Sequence, residues 1–305
     1  MDTLLSHDKI KEYALGIGFQ DCGIAIAEHL ETEAGLFLEA IRLGKHAGMT
    51  FLERCIDDRF IPESLLPGCK TVVVVTYNYL TDSTQATDKY LIARYAHIID
   101  YHIVVKEMLQ TLALAISEQH PGLRAKATVD SSAISEKAWA VKSGVGCVGK
   151  NGIVHNSHGS FFVIGTLLLD RVCDKYDEPA PKSDCGDCDI CVKSCPVNAL
   201  ETPYSVDARR CVSYLNTEDK NPIYSELAKQ KYIFGCDICQ EVCPKNKKKI
   251  ANVLNETKTS LFLPLENSDY ECLDSETFSR CFARTSILRR KFYRFRQMID
   301  AKGRE

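Results

Sequence analysis

Apolar residues recur at three- and four-residue steps over residues 6–17 and 30–44, the spacing that lines one face of a helix. TVVVVTYNYL (71–80) is an unbroken β-branched and aromatic run and predicts a buried strand. DYHIVVKEMLQTLALAISEQ (100–119) predicts an amphipathic helix, and RAKATVD (124–130) a strand ending at Asp130. AISEKAWAVKSGVG (133–146) reads as a helix running into a Gly-rich turn. GIVHN and SFFVIGTLLLD predict a strand pair, with HGS among the turn residues. This mixture of strands and helices implies an N-terminal α+β or α/β domain over residues 1–173. DKYDEPAPKSD (174–184) is charged and proline-rich and reads as a linker. It opens a second unit, 174–250, followed by a tail, 251–305, with one or two helices.

Composition narrows the class. The 305 residues carry a formal charge of −3, so any nucleic-acid contact must come from a local patch. No run of 18 apolar residues is present, which argues against a membrane span. The start, MDTLLSHDKIKEY, becomes charged too early for a signal peptide. A cytoplasmic chain is expected, where thiols stay reduced, and its fifteen cysteines then argue for metal rather than disulfides.

Eight of those cysteines fall between Cys185 and Cys243. Cys185, Cys188, Cys191 and Cys195 form C-x2-C-x2-C-x3-C-P, and Cys236, Cys239 and Cys243 recur in GCDICQEVCP with Cys211 upstream. The first spacing is the bacterial two-cluster ferredoxin run, whose fourth cysteine serves the other cluster. The crossed sets are therefore Cys185, Cys188, Cys191 and Cys243 on one 4Fe–4S cluster, and Cys195, Cys211, Cys236 and Cys239 on the second. Zinc is the competing reading, but its ribbons favour separated C-x2-C pairs over a triplet. Gly235 is expected to let backbone N–H groups approach the cluster sulfurs. Most of the other seven cysteines read as small buried hydrophobes.

A second candidate centre is VDSSAISEKAWAVKSGVGCVGKNG (129–152). Asp130 ends a strand and precedes a helix, so a helix N-cap is its ordinary explanation. Gly144, Gly146 and Gly149 before Lys150 match neither a Walker loop nor a dinucleotide fingerprint. They suit a backbone that comes close to a bulky ligand.

ARYAHIIDYH (93–102), VDSSAISEKAWAVKSGVGCVGKN (129–151), HGSFFVIGTLLLD (158–170), CGDCDICVKSCPVNAL (185–200), DARRCVSYL (207–215) and FGCDICQEVCPKN (234–246) occur in that order. Together they resemble the epoxyqueuosine reductase family over nearly the whole chain. The resemblance implies a cobalamin-binding mixed α/β catalytic domain followed by a ferredoxin-like double 4Fe–4S domain. It implies a tRNA anticodon loop carrying epoxyqueuosine at the wobble position as substrate, and removal of the epoxide oxygen as water. An external low-potential donor would supply electrons through the clusters to cobalamin. Asp130 matches the family's proposed proton donor, a role that calls for burial to raise its pKa toward neutrality.

The same resemblance makes Arg59, Tyr95, His102, Asp130, Ser131, Lys150, Ser160 and Ser213 candidate cobalamin contacts. The ordinary alternatives are a structural histidine for His102, a solvated loop lysine for Lys150 and a surface ion pair for Arg59. The chain departs from the family pattern at Cys147, where an aromatic is common, and in lacking a proline soon after Asp130. It also ends without the C-terminal helical-repeat extension of many members.

RTSILRRKFYRFRQ (284–297) offers a replacement RNA surface, with six cations, no acid and interleaved aromatics. Arg289, Arg290, Lys291 and Arg294 there, with Lys247 and Lys248 in KNKKK (245–249), are the expected tRNA contacts. Phe292 and Phe295 are expected to face inward. A solvated amphipathic helix is the competing reading. Two other functions stand beside the leading one: a related cobalamin/iron–sulfur reductase of a small molecule, such as a dehalogenase, and a non-catalytic electron carrier. A monomer without membrane attachment is expected.

Overall fold

The computed structural model describes residues 4–130, 132–201, 204–221, 227–248, 250–252, 254 and 260–303. The N-terminal part runs α1 (His7–Ile17), β1 (Asp21–Ile26), α2 (Glu31–Arg42), α3 (Pro62–Leu65), β2 (Thr71–Asn78), β3 (Leu91–Ile92), α4 (Tyr101–Ser117), β4 (Ala125–Thr128), α5 (Glu136–Lys142), β5 (Cys147–Val148), β6 (Val154–His155) and β7 (Phe162–Leu169). Then follow α6 (Ile190–Ser194), α7 (Val212–Thr217), β8 (Tyr232–Phe234) and helices at Ile238–Glu241, Asn267–Glu271, Ser275–Cys281 and Phe292–Lys302. No helix among the described residues is long and apolar enough to cross a membrane.

The main sheet has the order β1-β2-β7-β4, and every pairing in it is antiparallel. This decides for α+β over α/β. The valine run of β2 is buried along its whole length because helices cover both faces. Successive side chains alternate between faces. Val73, Val75 and Tyr77 pack with α1 and α4, through Ile10, Ala14, Val105 and Leu109. Val72 and Val74 pack with α2 and α5, through Ala34, Trp139 and Ala140. At Gly23 of β1 a Cβ would lie 2.1 Å from the Ser143 carbonyl oxygen, so glycine lets the end of α5 press on the sheet.

The predicted strand pair is corrected. β6 pairs with β5, whereas β7 pairs with β2 and β4. The turn between the two runs closes on an isolated Asn156–Gly159 bridge. The long hydrophobic β7 gains far more by entering the central sheet than by closing a local hairpin. The helix expected over 133–146 is also shorter, starting at Glu136 and stopping at Lys142.

Residues 174–184 are sewn to the N-terminal part rather than free. The Asp177 carboxylate accepts from Ile24 N at 2.8 Å and Lys11 Nζ at 2.7 Å, and lies 3.1 Å from His7 Nε2. Ala180 N donates to Val141 O at 2.8 Å. A second core gathers Tyr90, Ile92 and Ala96 with Ile233 and Phe234 and with Phe262, Tyr270, Phe282 and Phe295. It draws on all three expected segments, and β3 pairs with β8 in parallel beside it. Phe295 is buried and Phe292 packs against this core, both inward as expected.

Candidate active site

Asp130 follows β4 with φ of 52°, in the left-handed region that Asp tolerates better than most residues. The turn swings its carboxylate out of the sheet, leaving the side chain 56% exposed. It does not cap α5, whose N-cap residue is Ser135. Instead its carboxylate accepts from Tyr101 Oη at 2.9 Å and lies 3.0 Å from His102 Nε2. Its backbone N–H donates to Glu136.

Asp100 caps α4 by accepting from His102 N at 3.1 Å, and the same oxygen lies 2.6 Å from His102 Nδ1. The imidazole thus bridges two carboxylates. Desolvation opposes its charge, but hydrogen bonds to Asp100 and Asp130 outweigh it and push His102 up to about 9. The expectation for Asp130 is reversed: the His102 hydrogen bond outweighs desolvation and holds its carboxyl below the usual range. At neutral pH the pair's proton rests on the imidazole.

Glu136 and Lys137 form the next wall. Burial pushes Glu136 up to about 8, although its side chain still meets solvent. Desolvation likewise lowers Lys137, although its side chain reaches solvent. Lys137 donates to Gly152 O at 2.7 Å and feels the charges of Asp130, Glu136, Cys211 and Cys239. It therefore stands between the carboxylates and the cysteine-rich unit.

The clustered cysteines lie close to one another. Burial first, then the thiols of Cys243, Cys185 and Cys188, raises Cys191. Burial first, then Cys211 and Cys195 among its charged neighbours, pushes Cys236 up to about 12, and Cys239 is raised with Cys236 and Cys211 beside it. α6 packs against Ile238–Glu241, which brings the two cysteine turns together. The backbone N–H of Ile238 addresses the Cys236 sulfur, while Gly235 is pinned through its own backbone. Its N–H donates to Asn216 at 2.8 Å and its carbonyl accepts from the same amide at 2.9 Å, so the N–H does not face sulfur. A Cβ there would strike Ala93 at 2.5 Å and Tyr95 at 2.9 Å.

The family model described as "Epoxyqueuosine reductase QueG, DUF1730" matches residues 59–131, and that for a 4Fe-4S double cluster binding domain matches 184–246. The epoxyqueuosine reductase of Cyclobacterium marinum is 35% identical, the match covering 98% of this chain and 97% of that one. That of Cellulophaga algicola is 36% identical, covering 98% and 99%. The chain belongs to the epoxyqueuosine reductase family. A solved family structure holding a tRNA-Tyr epoxyqueuosine-modified stem loop has a TM-score of 0.86 at 27% identity, covering 97% of this chain and 80% of that one. The Bacillus subtilis member, solved with its catalytic aspartate loop swung out of the active site, has a TM-score of 0.85 at 26% identity, covering 97% and 80%. A catabolic reductive dehalogenase shares the fold at 14% identity, with a TM-score of 0.51.

The residues suggested by likeness to the family meet different fates. Tyr95 is half-buried against Tyr101 and Phe234, beside the His102 array. Arg59 is not a surface ion pair. It donates to Phe51 O at 3.0 Å, stacks over Phe37 and keeps a buried Nε with no hydrogen-bond partner. Lys150 is not a free loop lysine, because it donates to Gly186 O at 2.7 Å in the first cysteine turn. Ser160 is corrected. It is 3% exposed, donates to Gln240 at 2.9 Å and accepts from Asn246 at 2.9 Å, and so staples β7 to the cluster unit instead of facing a ligand. The backbone N–H of Ser213 addresses Cys211. Ser131 lies outside the described residues.

Among the expected RNA contacts, Lys247, Lys248, Lys291 and Arg289 are exposed, and Arg294 lies beside Tyr293. Arg290 is corrected. It is 5% exposed and donates to the Thr217 and Asp219 carbonyls at 3.0 and 2.9 Å, so it closes an interior turn. Cys147 and Asp184 flank His155. The thiol lies 3.6 Å from Nδ1 and the carboxylate 3.2 Å from Nε2. Because different ring nitrogens face them, the set reads as a hydrogen-bonded chain rather than one cation's ligands.

Proposed function

We propose that this chain reduces epoxyqueuosine at the wobble position of tRNA to queuosine, consuming two electrons and two protons and releasing the epoxide oxygen as water. The reading is carried by the Asp130 carboxylate, held 2.9 Å from Tyr101 Oη and 3.0 Å from His102 Nε2, with Lys137 linking it to the Cys211 and Cys239 thiols. Proton supply and electron supply converge there.

Two sets of four thiols suit two 4Fe–4S clusters: Cys185, Cys188, Cys191 and Cys243, and Cys195, Cys211, Cys236 and Cys239. The buried Arg59 Nε, without a hydrogen-bond partner among the described residues, suits a large polar cofactor such as cobalamin. Cobalamin and the clusters, when bound, supply electrons at low potential to the epoxide carbon. The chain's own part is the proton. His102 holds it at neutral pH, Asp130 presents it to the departing oxygen, and Asp100 keeps the imidazole oriented. Glu136, protonated below about pH 8, supplies the second proton. Lys247, Lys248 and Lys291 supply phosphate contacts. The protein works as a monomer fed by an external low-potential donor.

The test is anaerobic turnover of an epoxyqueuosine-containing anticodon stem loop, with and without cobalamin, for the natural chain and Asp130→Asn. Product should require cobalamin and form at least ~10-fold more slowly in the variant, about 1.4 kcal/mol of barrier. Full activity without the corrin would end this reading.

A further inference from the structure

Arg289 stands where the basic tail meets the proton array. Its side chain is 58% exposed, yet its guanidinium lies 3.3 Å from His102 Nε2 and 3.6 Å from Asp100 Oδ2. The second distance is longer than a hydrogen bond, and no bidentate pair forms. Its neighbour Arg290 shows the contrast, locked on two carbonyls in the interior. Arg289 is a loosely held cation with open solvent on one side, and exposed Lys291 and Tyr293 follow it in the chain.

His102 Nε2 carries either one proton or one lone pair. It faces Asp130 Oδ2 at 3.0 Å and Arg289 at 3.3 Å. With a proton it donates to Asp130 and repels Arg289. Without one it accepts from Arg289 and leaves Asp130 alone. The guanidinium and the shared proton therefore compete for one atom.

We propose that Arg289 is a positioning residue that an RNA phosphate draws off the Asp100–His102–Asp130 array, so that the array secures its proton when the RNA is seated. This rests on the reading of Asp130 and His102 as proton donors toward tRNA. A phosphate offers the guanidinium the paired, charge-assisted contact it lacks here. The sign of the electrostatics agrees: Arg289 lowers the proton affinity of His102, Asp100 and Asp130, so its withdrawal raises all three. Among the described residues, the other titratable groups with a resolved interaction with the array are Tyr95, Tyr101, Glu136 and Lys137, and none of them belongs to the tail. The step moves a proton from solvent to the array and makes no covalent change.

The experiment is calorimetric titration of the cluster-loaded full chain with an anticodon stem-loop RNA bearing unmodified guanine at the wobble position. It is run near pH 9 in two buffers of different ionisation enthalpy. Arg289→Gln and Arg289→Lys are compared with the natural chain; the site is exposed, and the lysine variant keeps the charge if the glutamine variant folds poorly. The natural chain should take up about a few tenths of a proton on binding, Arg289→Gln none, and Arg289→Lys an intermediate amount. Binding without uptake, or equal uptake by Arg289→Gln, overturns the inference while tRNA turnover stands. Failure of the stem loop to bind overturns both this inference and the tRNA reading.

Discussion

His102 Nε2 lies 3.0 Å from Asp130 Oδ2, and the proton between them rests on the imidazole. The pair therefore keeps its proton up to about pH 9, far above where a lone aspartate loses its own. Single-turnover rates should fall as pH rises through that value. In His102→Gln the limb should move down toward the carboxylate range, with a loss of about 10–100-fold at neutral pH. Stability should follow the same group. A folded pKa above the unfolded one contributes fully below about 6.5 and fades as pH rises through about 9. The melting deficit of His102→Gln should accordingly be largest near pH 6.

Glu136 has the opposite consequence at working pH. Its folded value of about 8 exceeds the ordinary carboxyl value of 4.5, so the natural chain loses stability as pH rises between them. Glu136→Gln keeps an acceptor for the Asp130 N–H and removes that penalty. It should melt higher than the natural chain at pH 8, by on the order of 1–2 kcal/mol, and match it near pH 4. Thermal unfolding at the two pH values checks this.

Crossed cluster ligation is separable from serial ligation by double substitution. Cys188→Ser with Cys243→Ser should cost one cluster and leave about four irons per chain. Cys188→Ser with Cys195→Ser should cost both. Iron and acid-labile sulfide analysis of anaerobically purified protein gives the answer, and serial ligation predicts the reverse pattern.

Asn216 grips Gly235 by both its N–H and its carbonyl, immediately before Cys236. Asn216→Ala leaves a buried donor and acceptor unpaired, at a cost of about 1–3 kcal/mol for each group. The variant should melt lower and lose iron from the second thiol set first, as followed by low-temperature paramagnetic resonance of the reduced protein.

The basic surface divides into working and structural cations. Lys247→Ala, Lys248→Ala and Lys291→Ala should each lower the salt slope of stem-loop binding by about one. Arg290→Ala should leave that slope unchanged and lower the melting temperature, because it unpairs the Thr217 and Asp219 carbonyls.

Much of this was legible in sequence where the signal is local. β2 and α4 follow from unbroken or periodic apolar runs. What stayed hidden depends on contacts between distant residues. The two-residue strands β5 and β6 are too short to show an alternation, so β7 was paired with the wrong neighbour. Asp100 and His102 sit two residues apart, but their meaning appears only when Asp130 arrives from β4. Charge could not separate Arg290, which meets interior carbonyls, from Arg289 beside it. In sequence, burial alone points Asp130 upward; the histidine that reverses the effect comes from another element.

The strand carrying Ile233 and Phe234 belongs to the aromatic core of the C-terminal helices, and Cys236 follows two residues later. Metallation and folding are therefore coupled through a few ångströms of backbone. Oxygen that strips the second cube would loosen the packing around Phe295 as well, and local opening there exposes chain to proteases. Oxidative damage to this protein would then end in its removal, with no intact but idle form left to wait for repair.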